Sequence, residues 1–136
     1  MTITVPSILR AAALAAALCA AQAADPINAV QLVQKDGAWQ LQRAGKPWVV
    51  RGAGGDASKT LLASIGGNTT RTWGADGIQD RLDEAHKAGL GVIIGIWLGH
   101  ERHGFNWSDK QAVQRQFEVA KRQVQQWKDH PALIAW

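Results

Sequence analysis

Tyrosine is absent from this 136-residue chain, and cysteine and methionine occur once each, as Cys19 and Met1. A lone cysteine excludes an intramolecular disulfide framework and any two-thiol redox motif. Charged residues make up only 19% of the chain, and its 15 Lys and Arg against 11 Asp and Glu are scattered rather than blocked. A nucleic-acid footprint needs basic residues clustered on one face, so that class of partner is set aside. No apolar run approaches the ~20 residues that cross a bilayer. What remains is a 46% apolar chain with 14 Gly and seven Trp, the composition of one modest globular domain.

The first 23 residues read as a secretory signal peptide. Arg10 supplies the positive start, Ala11 to Ala20 the short apolar core, and Ala21-Gln22-Ala23 the small-x-small pattern that signal peptidase accepts. Cleavage after Ala23 is expected, with export to the periplasm or the extracellular space and no membrane attachment afterwards. Cys19 follows Leu18 rather than a small residue, so it does not read as a lipoprotein site, and it leaves with the leader.

Residues 24–47 read as a linker and a β-hairpin. Asp25-Pro26 is the linker, QLVQK and WQLQR alternate, and Asp36-Gly37 is the turn dipeptide between them. A second turn is expected at Gly45-Lys46-Pro47, with Trp48-Val49-Val50 opening the next strand. From residue 48 to 136 the rhythm changes to strands alternating with helices. WVVRGAGG, NTTRTW, Leu90 to Leu98 and ALIAW are the strands. Leu61, Leu62 and Ile65 mark a first helix stopped by Gly66-Gly67. Ile78, Leu82 and Ala85 mark a second, opened by Asp76 with Gln79 in reciprocal position. Ser108 with Gln111 opens a third, carrying Val113, Phe117, Ala120, Val124 and Trp127 on one face. This predicts an α/β fold with a parallel sheet: the first half of a (β/α)8 barrel, which needs ~250 residues in full, preceded by the hairpin.

In such folds the working loops follow the carboxyl ends of the strands. The first holds Gly54, Gly55 and Asp56, the second Gly74, Asp76 and Gly77, and the third runs from Gly99 through His100, Glu101, Arg102, His103, Phe105 and Asn106 to Trp107. Asp56 and Asp76 stand where helix caps belong. Glu101 does not, although Arg102 and the flanking histidines offer it ion pairs. RGAGGD lacks the last glycine of a dinucleotide fingerprint, having Ala57 there, and leaves a nucleotide site as a minor alternative. The histidines of His100-Glu101-Arg102-His103 are three apart in a loop, not the metalloprotease pattern, and no Ser or Cys sits in a nucleophile elbow. No metal and no cofactor is expected. Trp73 and Trp107 are candidate flat platforms for the C–H face of a sugar. Trp97 reads equally as core or platform, and Trp127 as core. Arg71 in the second strand should be paired with carboxylates or with a ligand.

The phrases GKPWVVRGAGGD, NTTRTW, LDEAHKAGLGVIIGIWL and QWKDHPALIAW resemble, in order, the first four βα units of retaining glycoside hydrolases of the TIM-barrel superfamily. The resemblance is nearest to the catalytic domain of family two, the β-galactosidase, β-glucuronidase and β-mannosidase family. It implies a glycosidase parent acting with retention through two Glu residues, which sit ~5–5.5 Å apart in such sites. The acid/base Glu of that superfamily directly follows the fourth strand and the nucleophile follows the seventh. The sequence stops at Trp136, so neither is expected here, and the chain reads as an inactive N-terminal half. Arg71 then matches the second-strand Arg that supports both carboxylates, and His100 matches a sugar-contacting His after the third strand. Arg71, Trp73, His100, Glu101 and Trp107 are the expected carbohydrate-contacting residues. The chain departs from family two after its first strand, with Ala53-Gly54-Gly55 in place of Asn-His. The alternative function is a non-catalytic carbohydrate-binding or interaction module on a half barrel, for which a homodimer of two halves is conceivable.

Overall fold

A computed structural model describes residues 30–136; the expected leader and the Asp25-Pro26 linker lie outside them. The alternating first segment forms β1 (Val30–Lys35) and β2 (Ala38–Arg43), joined at Asp36-Gly37, and a short β3 (Lys46–Pro47) adds to β2. Both turns have two left-handed residues, Asp36 and Gly37 (φ 51° and 79°) and Ala44 and Gly45 (φ 49° and 71°). This backbone matches the twist of the flanking strands, which is why Asp-Gly is so strong a hairpin signal. The second turn is therefore one residue earlier than expected. Lys46-Pro47 closes the hairpin sheet, and Trp48 to Val50 do not open the next strand.

Antiparallel register pairs Leu32 with Leu41, Gln34 with Trp39 and Val30 with Arg43, so Leu32, Trp39, Leu41 and Arg43 share one face. At the Arg43 end that face is pinned beneath the parallel sheet. The Arg43 guanidinium donates to the Pro131 carbonyl (2.9 Å) and lies 4.9 Å from the centre of the Trp48 ring. The Trp48 indole N–H donates to the Thr69 hydroxyl (3.2 Å). Burial lowers the Arg43 pKa from its ordinary value, since desolvation disfavours the charged form.

The parallel sheet has the order β4 (Gly52–Gly54), β5 (Thr69–Arg71), β6 (Gly91–Ile93), β7 (Leu133–Ala135). Helices α1 (Lys59–Ser64), α2 (Gln79–Lys87) and α3 (Lys110–Trp127) are the crossovers. This is the alternating arrangement of a half (β/α) barrel, as expected. Its core lies between sheet and helices: Ile78, Leu82 and Ala85 of the second unit pack with Leu90, Val92, Ile94, Ala132 and Trp127. Gly66, at φ 88°, turns the chain out of α1 as its position predicts.

Several local expectations are corrected. The third strand is regular only over Gly91–Ile93, not to Leu98; beyond it the chain presses on β5, and a Cβ at Gly95 would lie 2.6 Å from the Thr72 carbonyl oxygen. The cap of α3 is Asp109, accepting from the amides of Gln111 and Ala112 (both 3.0 Å), not Ser108. The cap of α1 is Ser58, not Asp56, and α2 has no side-chain cap. Phe117 is exposed rather than turned to the core, because α3 buries only its last residue, Trp127.

Candidate functional site

Strand alternation decides what faces the open side of the sheet. Thr69, Arg71 and Trp73 share one face, while Thr70 points to the opposite one, towards Ala53 and Leu62 of α1. The neighbouring strands leave room on the Arg71 side by carrying glycine. At Gly54 a Cβ would stand 3.1 Å from the Trp73 ring, so glycine is what lets the indole lie across β4. The Arg71 guanidinium stacks on that indole, 4.4 Å from the ring centre, and both residues are exposed. Among the described residues it makes no ion pair. Of the two expected partners, carboxylates or a ligand, no carboxylate among the described residues pairs with it, and the cation–π contact holds the guanidinium flat and leaves its N–H edge free.

The carboxylates of the first two loops are spoken for. Asp56 pairs with Arg81 (3.4 Å), and Asp76 accepts from the Gln123 side chain (3.0 Å), tying the second loop to α3. Neither caps its helix. Asp109 is used as a cap, so Glu101 is the remaining carboxylate of the three loops and has no side-chain partner among the described residues.

The third loop is shaped by its own contacts. Glu101–His103 form a single 3-10 turn closed by Gly104 (φ 84°), and His100 accepts the Arg102 amide on Nδ1 (3.1 Å). That bond orients the His100 ring with Nε2 free to face solvent. Phe105 packs against Gly99 and stands edge-on to Trp107, with ring centres 4.8 Å apart. The Gly99 amide donates to the Gln116 side chain of α3, anchoring the loop base. Trp107 is 46% exposed, as a platform must be. The five expected residues thus fall into two groups, Arg71 with Trp73 and His100 with Glu101 and Trp107, both at or beyond the carboxyl ends of their strands.

One residue was left balanced by the sequence reading and one escaped it. Trp97, balanced between core and platform, is 77% exposed and lies beside Gly74, where a Cβ would meet its ring at 3.4 Å. Lys59 is buried, with its ammonium donating to the carbonyls of Gly55 (3.1 Å) and Ala57 (3.0 Å). It holds the first loop in place. A lysine four residues after the strand-end glycines was the available signal, but lysine on a helix ordinarily faces water.

The fold and the placement of these groups define a parallel βα half barrel whose candidate site is a polar and aromatic surface at the carboxyl end of the sheet. No protein-family model matches the chain, and no curated protein matches it. Among solved structures it is similar to the exo-chitosanase CsxA of Amycolatopsis orientalis, at 21% identity and a TM-score of 0.53. The exo-β-D-glucosaminidase CsxA studied with a glucosamine-configured castanospermine and an amino-australine analogue gives 21% identity and a TM-score of 0.54. In both comparisons the match covers 79% of this chain and 15% of the larger one. That likeness is one of fold.

Proposed function

We propose that the chain is the sugar-contacting first half of a glycoside hydrolase barrel, binding oligosaccharide at its carboxyl-end surface. The observation that carries this reading is the Arg71–Trp73 stack, an exposed aromatic plane beside an unpaired guanidinium edge. An indole face accepts the apolar face of a pyranose ring, and a guanidinium beside it donates to ring hydroxyls or to a carboxylate. Trp107, His100 and Glu101 would extend the contact along the third loop. The likeness to a chitosan-acting enzyme makes β-linked amino sugars the first ligands to try, and Glu101 is then the group to meet their ammonium. Export after Ala23 belongs to the same reading, because polysaccharides of this kind are met outside the cell.

Turnover belongs to a complete barrel in this reading. Retaining chemistry requires two carboxyls ~5–5.5 Å apart, one proton donor and one nucleophile. With Asp56 and Asp76 engaged elsewhere, Glu101 alone supplies at most one of them. This favours binding without catalysis for the chain by itself. The test is a titration with glucosamine and glucose oligosaccharides, followed by the indole N–H resonances of the tryptophans. The Trp73 and Trp107 signals should move with a common midpoint, and Trp73→Ala should weaken binding at least tenfold. Unmoved indole signals with every sugar would overturn the reading, and hydrolysis of an aryl glycoside by the chain alone would overturn its non-catalytic part.

A further inference from the structure

Lys59 is the first residue of α1, where a lysine ordinarily extends into water, yet only 3% of it is exposed. Its side chain turns back on the first loop, and the ammonium donates to the carbonyls of Gly55 (3.1 Å) and Ala57 (3.0 Å). No carboxylate among the described residues pairs with it, since Asp56, the acid of the same loop, engages Arg81 instead. A buried cation without a counter-ion persists only where its hydrogen bonds are well made. The loop is tied on its other side as well. Gly55, at φ 105°, donates its amide to the Arg71 carbonyl (3.1 Å). Gly54 lies against the Trp73 indole, where a Cβ would stand 3.1 Å from the ring, and that ring carries the Arg71 guanidinium. One dipeptide, Gly54-Gly55, therefore touches the ammonium, the Arg71 backbone and the platform ring.

We propose that Lys59 is a positioning residue for the Arg71–Trp73 platform: its ammonium fixes the glycine backbone on which the indole lies. Glycine has the widest backbone freedom of any residue, and Gly55 stands where β4 has ended. Both peptide planes flanking it are bonded, one through its N–H to Arg71 and the other through its carbonyl to Lys59. Without the ammonium the second plane is released, and the Ala57 carbonyl with it. A hydrocarbon side chain in its place would fill the space and donate to neither carbonyl. Lysine suits the position because a flexible stem lets one donor group reach two acceptors. The consequence falls on binding. A platform held before its ligand arrives loses less conformational freedom when the ligand settles on it. The effect on affinity rests on the reading of this platform as a sugar contact, whereas the positioning itself is measurable with no ligand present.

The experiment compares the chain with Lys59→Met, which keeps a flexible stem and removes the donors. In the unliganded variant the Trp73 indole N–H and Arg71 Nε–H resonances should shift or broaden, while those of Trp107 and Trp127 stay. With glucosamine oligosaccharides, Lys59→Met should weaken binding about tenfold, and adding it to Trp73→Ala should weaken binding no further, because it acts through that ring. Lys59→Gln, whose amide can donate to one of the two carbonyls, should recover part of the affinity, and it replaces the Met variant should that one not fold. In the unaltered chain the Gly55 amide should exchange slowly before any sugar is added. A lowered thermal midpoint with unmoved Trp73 and Arg71 signals would overturn the proposal, since Lys59 would then be structural alone. So would additive losses in the double variant, or a Gly55 amide exchanging at the rate of an unfolded chain. If no sugar binds the unaltered chain while Lys59→Met still moves the Trp73 signal, the positioning stands and only the sugar reading falls.

Discussion

Ala44 is a non-glycine residue held at φ 49° in the second hairpin turn, where a Cβ is disfavoured and glycine or asparagine is at ease. Ala44→Asn should raise stability by about 0.5–1 kcal/mol, read as a higher urea midpoint with an unchanged slope. His130 acts in the opposite sense. Its Nδ1 accepts the Ala132 amide (3.1 Å) and its Nε2 meets Asp83 (3.2 Å), bridging α2 to the start of β7. The amide bond makes Nδ1 the acceptor and Nε2 the donor in the neutral ring. His130→Ala strands the amide of a fully buried Ala132 and should cost about 1–3 kcal/mol. His130→Asn, whose oxygen can take the place of Nδ1, should recover part of that loss; equal losses for both variants would remove the amide bond from the explanation. The phrase around His130 was readable as a helix end followed by a strand. That its ring holds the two together was not, since Asp83 lies 47 residues earlier.

Among the helices, α2 is the most fully committed to the core, whereas α3 buries only its last residue, Trp127. Leu82 is completely buried beneath the sheet, and Leu82→Ala should cost about 2–5 kcal/mol, measured by denaturant unfolding. Phe117→Ser on exposed α3 should leave stability within about 0.5 kcal/mol. Both helices were legible from their apolar spacing, and the hairpin from its alternation and Asp-Gly turn. Their caps were not: Asp56 and Asp76 are as well suited to capping as Ser58 and Asp109, and tertiary partners, Arg81 and Gln123, claimed them. The hairpin's docking is a further element-scale test. Trp48→Ala removes both the bond to Thr69 and the surface under Arg43, and should loosen the hairpin from the sheet. Faster amide exchange in β1 and β2 than in β5 and β6 would show it; uniform protection would mean that the hairpin is held some other way.

For the whole molecule, the described residues form a hairpin sheet followed by a parallel βα half barrel in the order β4, β5, β6, β7. The amino-acid order alone determined the alternation of strands and helices and the loops that hold the candidate residues. Those properties are set by local periodicity and by glycine and capping residues within a few positions of one another. Only the tertiary structure decided which groups meet. Arg71 lies on Trp73 rather than on a carboxylate because the indole spreads over Gly54 of a neighbouring strand. Trp97 faces solvent because its strand ends early against Thr72. Glu101 is left free because more distant residues engage Asp56 and Asp76. Each outcome turns on contacts between segments far apart in the chain, where many partners compete for the same polar group and only packing selects among them.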